Sequence, residues 1–139
     1  MDKKGHMEIA GEPYGILANV KAGEAFAAGE WGSQICELMQ PMEGELIAKG
    51  KVGLCGFEST NLDFLMRQNG CDNILLSGFL TNCCVESTMR SGYERGYKIY
   101  TIEDACAATN VAAHDATFEH NFGMFSIPTC TNDAIASIV

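Results

Sequence analysis

The chain reads as an α/β protein, a three-layer α/β/α arrangement around a mainly parallel sheet. Three observations predict it. From Gly44 onward, short apolar runs alternate with amphipathic stretches of helical period, the signature of βαβ units. The connections are short and bounded by glycines such as Gly70 and Gly96, which keeps successive strands adjacent in one sheet. The run Asn73-Ile-Leu-Leu76 shows almost no polar alternation, as expected of a strand covered on both faces.

Each element has its own warrant. Residues 46–48 (Leu-Ile-Ala) predict a short strand ending at Lys49-Gly-Lys51. Residues 58–68 predict a helix with Leu62, Leu65 and Met66 on one face, Ser59 or Thr60 as N-cap, and Gly70 as its stop. A strand follows over residues 73–76. A helix over 84–95 places Val85, Met89 and Tyr93 four apart, with Gly96 behind. Residues 97–102 form the next strand, ending at Glu103-Asp-Ala105. Asn110 caps a helix in which Val111, Asp115, Phe118 and Phe122 follow the helical period. A last strand over 125–127 and a C-terminal helix capped by Thr131 complete the pattern.

The first 43 residues differ. Gly-, Ala- and Glu-rich text from Ile9 to Trp31 predicts no strand and no clear helix, and the first helical stretch covers 33–39, stopped by Pro41. Residues 1–43 are read as an irregular arm, or the remnant of an N-terminal part. Residues 44–139 are the βα core of one domain, 1–139.

Composition narrows the function classes. A chain of 139 residues with 47% apolar content is one ordinary globular domain that buries roughly two-thirds of its unfolded surface. A formal net charge of −9 and a pI near 4.6 argue against nucleic acid or an anionic membrane as partner. No run reaches the roughly 18 apolar residues a membrane-spanning helix needs. Seven cysteines (36, 55, 71, 83, 84, 106 and 130) are an odd set. The N-terminus carries no secretory signal, so a disulfide framework is not expected. No CxxC pair or Cys/His spacing suggests zinc. His6, His114 and His120 are read as solvated surface histidines. The expectation is a reduced, cytoplasmic protein that acts on a small molecule without metal or other cofactor.

The stretch Ser77-Gly-Phe-Leu-Thr-Asn-Cys-Cys-Val-Glu-Ser-Thr-Met-Arg90 follows the strand at 73–76. A cysteine therefore sits where a strand has ended and a helix begins. Backbone N–H groups and the positive end of the helix dipole favour a thiolate there. The carboxyl ends of the strands in an open parallel sheet are also where ligands bind. The alternative is that Cys83 and Cys84 are small buried apolar residues, a common fate of free cysteine.

Gly78-Phe-Leu-Thr-Asn-Cys-Cys-Val-Glu-Ser-Thr88, followed by Arg90, Gly96-Tyr97 and Glu103-Asp-Ala105, resembles the isochorismatase-like cysteine hydrolases. That family includes nicotinamidases, N-carbamoylsarcosine amidohydrolases, ureidoacrylate and biuret hydrolases, and isochorismatases. Upstream, Lys51, Gly56-Phe57, Thr60, Leu62 and Gly70 also fall on its pattern, and Lys51 precedes Cys84 by 33 positions (84 − 51). The resemblance runs from about Trp31 to the C-terminus. It implies that Cys84 is the nucleophile, with Cys83 standing where the family has a small apolar residue. It implies that Lys51, rather than the neighbouring Lys49, supports the thiolate. It also implies a cis peptide bond at Phe79–Leu80, with the N–H groups of Leu80 and Cys84 forming an oxyanion hole.

One family feature has no counterpart. The catalytic aspartate, in a Val-Ile-Asp-Met-Gln-like segment at the end of the first strand, is not found. Two strands' worth of sequence is expected to be missing ahead of Ile9, leaving a sheet edge unpaired and favouring a homo-oligomer. Asp104 is read as a structural cap first and a replacement base second. The leading function is hydrolysis of a small amide, ureide or related carbonyl compound through a thioester-type acyl-enzyme. An isochorismate-like enol ether would need different chemistry in the same pocket. The rival is a truncated, non-catalytic family member that acts through oligomerisation or partner binding.

Overall fold

The structure is a computed structural model and describes residues 6–138. It divides into two compact units, one ending at Val52 and the other running from Gly53 to the C-terminus.

The first unit holds helix α1 (Gly15–Ala22) and two 3-10 turns, Trp31–Ser33 and Glu37–Met39. Three expectations change here, the first being that the helical stretch foreseen over 33–39 is two separate 3-10 turns. α1 lies where no helix was foreseen; its glycine start and uncapped first turn, with Tyr14 at the N-cap making no side-chain bond, hide it from a reading based on caps and apolar stripes. The strand expected at 46–48 is absent, and Leu46 and Ile47 are exposed. Three apolar residues make no strand unless a neighbouring strand pairs with their backbone N–H and C=O groups.

The second unit carries the sheet. Its elements are α2 (Leu62–Gln68), β1 (Asn73–Phe79), a π-helical turn (Thr81–Val85), α3 (Glu86–Glu94), β2 (Lys98–Ala107), α4 (Val111–Thr117), a second π-helical turn (Phe118–Phe122), α5 (Gly123–Phe125), β3 (Ile127–Thr129) and α6 (Thr131–Ile138). The strands pair in parallel in the order β1-β2-β3. α2 starts at Leu62, later than expected, because the Thr60 hydroxyl accepts the Leu62 N–H at 3.0 Å and closes a local turn.

Successive strand residues face opposite sides, and β2 shows both layers. Ile99, buried, meets α3, where a methyl added to Gly92 would sit 2.7 Å from its Cδ1. Tyr100, on the other face, lines a groove with Ala134 and Ile138 of α6. The core gathers on the α3 side: Phe57 stacks on Tyr97 with centroids 5.5 Å apart, beside Val85, Met89, Ile99, Phe118 and Phe122. The second face of β1 departs from the expected double cover. Ile74 and Leu76 pack against the core, whereas Leu75 is 47% and Phe79 61% exposed. α6 packs against β2, while Leu75 and Phe79 of the edge strand β1 stay exposed.

Candidate active site

β1 and β2 run in register from Asn73↔Lys98 to Leu76↔Thr101; the pairing resumes at Gly78↔Cys106 and Phe79↔Ala107 after an irregularity. The extra residues bow out of β2 around Asp104. Gly78 takes φ +127°, a conformation closed to side-chain-bearing residues, and the Phe79–Leu80 peptide is cis. The chain then enters the helical run from Thr81 to Glu94, kinked at Asn82. The sequence therefore delivers Cys83 and Cys84, both half-buried, to the first turn of a helix at the carboxyl end of the sheet.

Several contacts hold that turn. The Leu80 carbonyl accepts the N–H groups of Cys83 and Val85, each at 3.1 Å. Val85 is buried and anchors the far side. The Thr88 hydroxyl donates to the Cys84 carbonyl at 2.7 Å and accepts the Gly56 N–H at 2.8 Å, tying the turn to the loop before α2. Glu86 accepts from Arg90 at 2.7 Å and from Asn121 at 3.1 Å, while the Arg90 guanidinium lies over the Phe125 ring at 4.1 Å. Thr81 is fully buried and its hydroxyl lies 2.9 Å from Nδ1 of His114 on α4.

A family model described as the isochorismatase domain matches residues 6–133. The chain belongs to the isochorismatase family. Ureidoacrylate amidohydrolase RutB from Pseudomonas savastanoi pv. phaseolicola is 32% identical over 107 residues, which is 77% of this chain and 41% of the relative. A cysteine hydrolase structure from Pseudomonas syringae pv. phaseolicola 1448A superposes with a TM-score of 0.83 at 26% identity, covering 99% of this chain and 68% of that one. N-carbamoylsarcosine amidase from Thermoplasma acidophilum gives 0.68 at 28% identity over 81% of this chain and 64% of its own. The chain spans about two fifths of the length of the curated relatives it matches.

The expected site residues belong to both units. Phe79, Leu80 and Cys84 share one turn of the second unit. Lys51 and Lys49 belong to the first unit, exposed and outside regular structure. Asp104 is a cap: its Oδ1 accepts both the N–H and the hydroxyl of Thr131, each at 2.8 Å, at the start of α6. Those bonds, the hydroxyl first, hold its carboxyl below the usual range. Burial pushes the Cys106 thiol up, against a bond from the Gly78 backbone.

The histidines correct the expectation of three solvated rings. His120 is exposed, but His6 is buried and His114 is half-buried against Phe118. His114 is the residue the motif reading passed over. Its signal was present, because it lies four residues before Phe118 and eight before Phe122, on the same inward stripe. Among the described residues no group of three or more His, Cys, Asp or Glu side chains could hold a metal ion, and no helix is long and apolar enough to cross a membrane.

Proposed function

We propose that this chain is a cysteine-dependent hydrolase of a small amide, ureide or related carbonyl compound. The observation that carries the reading is the placement of Cys84 in the first helical turn at the carboxyl end of β1, half-buried and tied through its carbonyl to Thr88. Ligands of open parallel sheets bind at that end.

In this mechanism the Cys84 sulfur attacks the substrate carbonyl carbon, and the C=O electron pair moves onto oxygen. The N–H groups of Leu80 and Cys84 receive the developing charge, a contribution typically worth about 3–4 kcal/mol per donor. Collapse breaks the C–N bond; the amine leaves with the proton that the thiol gave up, and a thioester remains on Cys84. Water then attacks the thioester carbonyl, the C–S bond breaks, and a proton returns to sulfur. Support of the thiolate is the role that the family resemblance assigns to Lys51. The proton acceptor is the one role for which residues 1–139 offer no match to the family motif, and Asp104 is engaged with Thr131. The names of two relatives describe a ureido and a carbamoyl substrate, so a ureide is the first class to test.

A second reading, a non-catalytic family member that works by self-association, draws on the position of β1 at the sheet edge with Leu75 and Phe79 exposed. Ammonia release from a panel of ureides and primary amides separates the two. Turnover in the wild type that disappears in Cys84→Ser is the expected result. Equal release by both proteins, or none by the wild type, would overturn the hydrolase reading.

A further inference from the structure

We propose that His114 is a positioning residue that fixes the Cys84 turn through Thr81, a role that rests on Cys84 being the nucleophile. Thr81 is the first residue of the helical run, directly after Leu80 at the N-cap position. Here the run has no side-chain cap at its start, and the Thr81 hydroxyl is spent on His114 Nδ1, 33 residues away. Thr81 is completely buried, so losing this partner would leave an unsatisfied hydroxyl with no access to water.

The imidazole is held firmly enough to act as a fixed point. Asn110 Oδ1 accepts the Ala113 N–H at 2.9 Å and sets the start of α4. The His114 ring lies 4.9 Å from Phe118, whose ring packs 4.4 Å from the buried Phe122. α4 begins just beyond the carboxyl end of β2, which pairs with the end of β1 at Phe79↔Ala107. The bond therefore ties the turn after β1 to the helix after β2, across the end of the sheet where substrate is proposed to sit. Either neutral tautomer can make it, with Thr81 donating to a bare Nδ1 or accepting from Nδ1–H. Leu80, the proposed oxyanion donor, is bonded into the turn through its own carbonyl, and Thr81 follows it directly.

The test uses the full chain and paired variants read by amide hydrogen exchange and by the ratio of Cys84 to Cys83 alkylation with iodoacetamide. Thr81→Val and His114→Leu remove the bond with little change of volume. Thr81→Ser keeps the hydroxyl, and His114→Asn keeps a polar atom at the δ position. The expected result is exchange at residues 81–85 faster by roughly five- to tenfold in Thr81→Val and His114→Leu, the factor one net hydrogen bond carries. Exchange at Met89 and Gly92 in α3 should stay unchanged, and the alkylation ratio should fall toward one. Wild-type behaviour is expected in Thr81→Ser and His114→Asn, and Thr81→Val/His114→Leu should be no worse than either single change. Unchanged exchange in both bond-removing variants, or additive effects in the double variant, would overturn the proposal. If His114→Leu fails to fold, Thr81→Val reads the same bond from the other side. A wild type that shows no preference for Cys84 would sink the nucleophile assignment instead, and the exchange data would still decide whether the bond holds the turn.

Discussion

Asp104 shows how little a side chain's identity reveals of its use. A carboxylate at the end of a strand in this fold suggests an acid or base, yet its oxygen is committed to Thr131. The bonds lower its carboxyl from its usual value of 3.8, so its contribution to stability is present above that value and is lost as pH falls through the lowered one. Asp104→Ala should therefore lower the melting temperature at pH 7, and the gap to the wild type should narrow as pH falls below the usual carboxylate value. A gap that persists in acid would mean that the carboxylate does not stabilise α6 in its charged form. The cap-first reading of Asp104 was open to the sequence because Asp104-Ala105 matches a family segment other than the one that carries the catalytic aspartate. The role of His114 was not, because a side chain's partner 33 residues away depends on how two connections leave the sheet.

Elements announced themselves where local pattern and tertiary packing agreed. The helix carrying Val85 and Met89 and the strand at 73–76 were legible because Val85, Met89, Ile74 and Leu76 do face the core, although Leu75 does not. The 46–48 strand was misread because three apolar residues satisfy a pattern but do not supply a neighbouring strand. Between α3 and β2 the close approach depends on Gly92, whose added methyl would meet Ile99 at 2.7 Å and Phe57 at 3.1 Å. Both neighbours are buried, which limits their room to yield. Gly92→Ala gains about 1 kcal/mol of helix propensity but overpacks this contact at a cost of roughly 1–3 kcal/mol. Chemical denaturation should show net destabilisation with an unchanged m-value; a more stable protein would mean that Ile99 moves aside at little cost.

At the scale of the molecule, this chain spans about two fifths of the length of its curated relatives. β1 is an edge strand, and Leu75, Phe79, Ile127 and Ile138 are exposed on or beside the sheet. Unpaired strand edges and contiguous apolar surface promote association, so light scattering behind size exclusion should report a species larger than a monomer. The net charge of −9 opposes association, so added salt should strengthen it by screening; a monomer at every salt concentration would show that the edge is protected. The family and the α/β core were legible because the nucleophile turn and the βα alternation are local. The proton acceptor was not, because no stretch of the chain carries the motif that would name it. The central claim, that Cys84 is the reactive thiol, is tested most directly by competitive iodoacetamide labelling of the folded protein at pH 6.5, with each cysteine quantified by peptide mass spectrometry. Cys36 is exposed and Cys84 only partly so, so accessibility alone would favour Cys36. The account predicts that Cys84 is labelled first, whereas labelling of Cys84 no faster than Cys36 or Cys130 would contradict it.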